Sequence, residues 1–324
     1  MNASEHPDDV AEIWPGRIAP TNGYTYGQTH WNRNQRMAGP TVPRMLVGAQ
    51  LRRYREKARI STEDAAYEIR GSHSKISRME LGRVGLKERD VADLLTLYGV
   101  LDPDRRDALL ELVDLANRPS WWQEYGDLVP PWFEPYLGLE QGAVIARVYE
   151  VQDVPELLQT PDYARALLSA RHPEAPAEEI ERRVELRMRR RRRVFERPGP
   201  LKLWAVVDEA ALRRQVGGPE TMAAQLRFLI DMSWLPNVSL QVLPFASGGH
   251  AAECGPVTLL RFAEPELPDV VYLEQLTGAL YPDRPSDITR YRDVLNRLGL
   301  QAEPPVRTPG ILDDMLDQLP SGGF

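Results

Sequence analysis

The sequence predicts an α+β protein in two parts, an all-α N-terminal domain of five helices followed by a mixed α/β domain. Three observations carry this expectation. Apolar residues recur at helical spacing from Met45 to Ala116. Beyond Pro200 the apolar period drops to two. A length of 324 residues fits about two domains. Hydrophobic residues at 42% and charged residues at 27% match ordinary globular usage. No apolar run approaches the ~20 residues that span a bilayer, so no membrane partner is expected. Residues 1–20 are acidic and interrupted by proline, unlike a secretion signal. The single cysteine, Cys254, has no internal disulfide partner, in keeping with a cytoplasmic location. No Cys/His spacing suggests zinc, and no metal or cofactor is expected.

Residues 1–42 read as a disordered N-terminal extension, polar and without period. Its aromatics Tyr24, Tyr26 and Trp31 belong either to a floppy tail or to a docking segment. The helical domain is expected over 43–117. Leu46, Ala49, Leu51 and Tyr54 give its first helix an apolar side. Ser61 can cap a second helix with Glu63 and Asp64 in its first turn, where the helix dipole favours acids. Ala65, Ala66 and Ile69 form its buried stripe, and Gly71 punctuates the turn. Ser72 opens a third helix with Ile76 and Met79 turned inward. His73, Ser74, Lys75, Ser77 and Arg78 are left facing outward. Val91, Leu94, Leu95 and Tyr98 make a fourth helix stopped by Gly99, and Asp102-Pro103 starts the fifth.

A connector rich in Trp and Pro follows over 118–135, too apolar for a flexible linker. It either packs the domains together or forms a partner or ligand surface. The α/β domain is expected over 136–300. Its first elements are a helix at 140–150, with Val144, Ile145 and Val148 apolar, and a helix capped by Thr160 with Pro161 at its first position. A long charged helix, 178–195, carries five successive arginines from Arg189 to Arg193. Five adjacent residues cover every side of a helix, so some of these must face protein or an acidic partner. Strands are expected at 201–207, 238–243, 257–262 and 270–274, with helices at 219–231 and 286–298. The tail, 301–324, holds a short amphipathic stretch at 311–319 suited to docking on a partner or on its own domain.

Charge separates the two ends. Residues 44–89 hold twelve Lys and Arg against six Asp and Glu, a net of +6 in a chain whose total is −7. Local basicity on an acidic background is the footprint of nucleic-acid binding confined to one face. A two-turn helix also fits the DNA major groove, about 12 Å wide.

The run Ser74-Lys-Ile-Ser-Arg-Met-Glu-Leu-Gly-Arg83 closely resembles the recognition-helix signature of XRE-type helix-turn-helix regulators, the Cro/repressor class. The second half resembles a domain of unknown function found in actinomycete, antitoxin-like regulators of the kind linked with streptomycete development. The matching blocks include Trp121-Trp122, V-P-E-L-L-Q-T-P-D-Y-A (154–164), R-V-E-L-R-M-R-R (183–190), L-W-A-V-V-D-E-A-A-L-R (203–213) and N-V-S-L-Q-V-L-P-F (237–245). Met37 to Thr41 resembles the usual start of such relatives, which makes 1–36 an expected upstream extension.

The resemblance implies a Cro/repressor-like reader of a double-stranded DNA operator, acting as a homodimer with a small partner protein encoded nearby. Carried over by position, His73, Ser74, Lys75 and Arg78 are candidates for base contacts, with Lys75 also able to reach phosphate. Arg52, Arg53, Thr62, Ser72, Arg83 and Lys87 are candidates for phosphate contacts. Thr62 stands where relatives often carry glutamine, and Gly71 falls one position later than in the commonest turn. Glu80 is expected to pair with an arginine of the first helix. Trp121, Trp122, Arg189 and Arg190 are candidates for a partner or ligand surface. The expected function is a nucleoid-associated, sequence-specific transcriptional regulator whose second domain senses a small protein or ligand. The alternative is an antitoxin-like protein that mainly sequesters its partner. An enzyme would need a constellation, and the nearest, His250 with Glu253 and Cys254, lacks an assured orienting carboxylate.

Overall fold

The computed structural model describes residues 39–253 and 255–320. The expectations for 1–36, for Tyr24, Tyr26 and Trp31, and for Cys254 lie outside those residues. Five helices come first: α1 (Thr41–Ala58), α2 (Thr62–Glu68), α3 (His73–Glu80), α4 (Glu88–Leu97) and α5 (Pro103–Asn117). Ser61, Ser72 and Asp102 each accept a backbone N–H at the start of α2, α3 and α5, a cap typically worth about 1 kcal/mol.

Two expectations need correction here. Thr41 and Val42, assigned to a disordered extension, are helical, and Val42 is buried. The helical region also exceeds five helices. A single 3₁₀ turn, Trp121–Tyr125, and α6 (Glu134–Gly142) continue it. The physical reason for both is one contact. A Cβ on Gly138 would lie 1.9 Å from Thr41 Oγ1, and one on Gly142 would lie 2.2 Å from Val42 Cγ2. Two glycines thus let α6 approach α1 closely, and the start of α1 is covered by α6.

The second domain is built on a six-stranded sheet in the order β3-β2-β1-β4-β5-β6. The strands are β1 (Ile145–Glu150), β2 (Lys202–Asp208), β3 (Val238–Leu243), β4 (Val257–Arg261), β5 (Val270–Gln275) and β6 (Gly278–Leu280). β1, β2 and β3 run parallel, while β4, β5 and β6 add in antiparallel fashion on the other side of β1. α7 (Pro161–Arg171) and α8 (Ala177–Phe195) connect β1 to β2, and α9 (Glu209–Arg213) and α10 (Gly218–Ser233) connect β2 to β3. α11 (Pro285–Gln301) covers one face, where Ile288, Leu295 and Leu298 pack with Tyr149, Val206 and Leu259. α6 and α8 lie over the opposite face, carrying Tyr136 and Arg190 towards Ala146 and Val148.

The helix expected at 140–150 is replaced by the end of α6 and by β1. Val144, Ile145 and Val148 satisfy a helical spacing, but this segment sits between two partners. Its backbone pairs with β2 on one side and β4 on the other, and sheet pairing overrides so weak a local preference. The tail does not stand apart from the domain either. α12 (Thr308–Asp317) packs against α10 and β3. Thr308 Oγ1 donates to the Leu240 carbonyl at 2.6 Å, and Glu303 N–H to the Val242 carbonyl at 2.9 Å.

Gly142→Val should force α6 away from α1 and lower the unfolding free energy by about 1–3 kcal/mol, as overpacking does. Chemical denaturation measures it, and an unchanged midpoint would show that the two helices are free to separate.

Candidate nucleic-acid interface

The second helix of the two-helix reader, α3, is held from behind. Ile76 and Met79 turn into the core with Ala65, Ala66 and Ile69 of α2 and the residue after it. Gly48 of α1 allows the backbone of α3 to approach, since a Cβ there would lie 2.4 Å from the Met79 carbonyl. Arg55 of α1 donates to both oxygens of Glu80, at 2.6 and 2.9 Å, and both side chains are largely buried. The hydrogen bond to Glu80 raises the Arg55 pKa against the opposing effect of burial. Glu80 therefore has the structural role expected of it, and its arginine is Arg55.

The turn between α2 and α3 differs from the reading that centred it on Gly71. The left-handed position is Arg70, with φ of 50°. Gly71 provides room instead, because a Cβ there would lie 3.0 Å from Lys75 Cδ. A non-glycine residue in this conformation costs roughly 1–2 kcal/mol, and it leaves the Arg70 side chain exposed beside the reader.

The solvent side of α3 brings together His73, Ser74 and Arg78, all exposed. Arg78 Nε donates to the Ser74 carbonyl at 3.2 Å, and His73 Nε2 lies 3.8 Å from the Glu63 carboxylate. Lys75 is placed differently. Its Nζ is 2.5 Å from Asp90 of α4, in a part-buried pair, so its charge ties α3 to α4. Among the phosphate candidates, Arg53 and Lys87 are exposed. Arg52 pairs with Glu56 at 2.8 Å, and Thr62 donates to Glu63 at 3.2 Å. Ser72 serves as the cap of α3. Arg83 lies 3.5 Å from Asp283, which precedes α11 in the second domain. Exposed pairs of this kind contribute little to stability, so phosphates can compete for these cations.

The four residues offered as a partner surface divide. Trp122 and Arg190 are each only 4% exposed, which removes them from any surface. Trp122 packs with Tyr125, Leu137 and Leu186. Arg190 donates to both oxygens of Glu140 at 2.9 and 3.0 Å and also pairs with Glu156. Trp121 and Arg189 are part-buried. Trp121 donates to Gln141 at 3.0 Å, and Arg189 pairs with Glu124 while lying over the Trp121 ring. His250 stands 3.4 Å from the Tyr149 hydroxyl and 4.0 Å from Asp208, and Asp208 is engaged as the cap of α9. No cluster of three metal-ligating side chains occurs among the described residues. No described helix is long and apolar enough to cross a membrane.

Two capped helices, the second presenting a basic and hydrogen-bonding face, have the arrangement of a helix-turn-helix motif. Residues 46–109 match the family described as a helix-turn-helix domain. Residues 133–314, more than half of the chain, match the family described as a domain of unknown function, DUF5753, and the chain belongs to that family. No curated protein and no solved structure matches it.

Glu80→Ala strands the buried Arg55 cation and is expected to cost about 3 kcal/mol. Adding Arg55→Ala should recover part of that loss, which a double-mutant denaturation series reads directly. Arg70→Gly should instead raise stability by up to about 1 kcal/mol by relieving the left-handed backbone. A drop in its melting temperature would contradict that account of the turn.

Proposed function

We propose that this protein is a sequence-specific transcriptional regulator of the Cro/repressor-like, antitoxin-like actinomycete type, acting from the cytoplasm on the nucleoid. The helix-turn-helix domain supports a DNA-binding regulatory role. The observation that carries the finer reading is the fixed presentation of α3. Gly48 and the Arg55–Glu80 pair hold its back, while His73, Ser74 and Arg78 are exposed on the side that would meet base edges. In this reading Arg78 pairs bidentately with a guanine, worth about 1–3 kcal/mol of discrimination. Arg52, Arg53, Thr62, Ser72, Arg83 and Lys87 position the domain on the backbone without reading sequence. Lys75 supports α3 through Asp90 and turns to DNA only if that pair opens.

A homodimer would place two such helices in successive major grooves, with half-sites about 34–36 Å apart. The second domain is the sensor, for a small protein or a ligand. The Arg83–Asp283 pair favours such coupling, because it sets a carboxylate of the second domain beside a cation of the reader. An effector acts to the extent that it prefers one arrangement of the readers over another.

Footprinting on genomic fragments should reveal a discrete operator. Arg78→Ala should lose about 1–3 kcal/mol of preference for it. Arg53→Ala should weaken all duplexes alike and reduce the salt slope by about one. Equal protection of the operator by both variants and the parent would refute the roles. A stoichiometric small protein that stays bound while Arg78→Ala keeps full biological activity would favour the sequestering alternative.

A further inference from the structure

Between the sheet and the helices α6 and α8 lies a cavity that DNA reading does not use. Phe133, Tyr136 and Tyr272 wall it, with ring centroids 5.4 Å apart for the first pair and 4.2 Å for the second. Glu140, Glu150, Glu156 and Glu274 also line it. Two of these carboxylates are neutralised within the protein. Glu140 is bound by Arg190, and Glu156 by Arg190 and Arg187. Neither of the other two forms an ion pair, although Arg171 acts on both and Arg190 on Glu274 at longer range. Glu274 accepts from the Tyr272 hydroxyl at 2.8 Å. Glu150 ends β1 half-buried, and no described residue hydrogen-bonds to its carboxyl or pairs with it.

The same walls already hold one cation. The Arg190 guanidinium sits 5.1 Å from the Phe133 ring centroid and 5.6 Å from that of Tyr136, within the range of cation–π attraction. One end of the cavity reaches the carboxyl ends of β1 and β5, beside a reversal of strand order, where open α/β sheets bind ligands. Glu150 is the last residue of β1, and Glu274 lies near the end of β5, which runs in the same direction. The chain leaves β1 for β2 on one side and returns to β4 on the other.

We propose that this cavity binds an organic cation with a guanidinium or primary ammonium head, its N–H donors on Glu150 and Glu274 and its carbon portion against Tyr136 and Tyr272. The proposal specifies the effector of the sensor domain and rests on the reading above only for its effect on DNA binding. Tyr136 and Glu140 belong to α6, whose Gly138 and Gly142 receive α1, and α1 in turn holds α3.

Burial pushes the Glu150 carboxyl up to about 8, reinforced by Glu156, Asp153 and Glu274 and opposed by Arg171. Burial and Glu156 raise Glu274 as well, opposed by the Tyr272 hydrogen bond and by Arg190 and Arg171. The remaining ionisable neighbours are paired or hydrogen-bonded: Glu140, Arg190, Tyr136 and Tyr272 of the same walls, and Arg187 through Glu156. A bound cation favours ionised Glu150, so binding should release a proton below pH 8 and tighten as pH rises towards it.

Calorimetric titration of the full chain without DNA tests this, using butylguanidinium, butylammonium and the neutral butylurea. At least one cation should saturate a single site with proton release, whereas butylurea should not bind. Glu150→Gln should weaken the cation about tenfold or more, the loss of one charge-assisted hydrogen bond, while keeping the parent's melting temperature or raising it. Nα-acetylarginine methylamide separates the sources: tighter binding than butylguanidinium points to a side chain of a partner protein, weaker binding to a free small molecule. No saturation by either cation, equal binding of butylurea, or undiminished binding by Glu150→Gln would overturn the proposal. Arg78→Ala should leave these titrations unchanged, so failure of the operator reading and failure of the cation site are separate results.

Discussion

A guanidinium buried where α6, α8 and the Glu156–Leu158 turn meet constrains much of the structure around it. Removing a charge from water costs several kcal/mol even after the protein relaxes. Arg190 tolerates this because both Glu140 oxygens, Glu156 and two aromatic rings surround it. Burial alone would lower its pKa, yet Glu140 and Glu156 hold it well above the ordinary arginine value. Few orientations of α6 satisfy so many directional contacts at once. With α6 fixed, its two glycines fix the start of α1, and α1 fixes α3 through Gly48 and Arg55. The reader is thus attached to the α/β domain through packed helices and not through a loose tether.

The arginine run of α8 follows the same logic. Arg187 donates to Gln159 and pairs with Glu156, Arg191 donates to the Gln159 carbonyl and lies over Phe228, and Arg193 lies over Trp121. Of the run Arg189 to Arg193, all but the exposed Arg192 are engaged within the protein. On the helical domain Arg53, Arg70, Arg78 and Lys87 stay exposed, where their charge can act over a distance on phosphates.

Much of the reader was legible in the sequence because its signals are local. Ser61, Ser72 and Asp102 are caps, and the spacing of Ala65, Ile69, Ile76 and Met79 marks buried stripes that short helices need. Glu80 could be read as structural because it sits in an outward-facing basic helix without a reason to be there. What escaped depends on distant partners. Nothing local marks residues 145–150 as a central strand, because their identity comes from β2 and β4, some fifty and more than a hundred residues away. Lys75 looks like a DNA ligand until Asp90 folds beside it. Arg70 takes the left-handed turn position with a glycine next door, against local preference. The cavity glutamates were invisible for the same reason, since four separate segments supply them.

The tail has a consequence for the outermost strand. β3 ends the sheet on one side, and an unpaired strand of this kind is a template for adding another chain. Thr308 and Glu303 occupy the Leu240 and Val242 carbonyls along that edge. A fragment cut at residue 300 would uncover those acceptors together with the surface α12 now shields. Such a fragment would present an open strand edge to other chains, so the last helix also serves to keep the sheet from pairing between molecules.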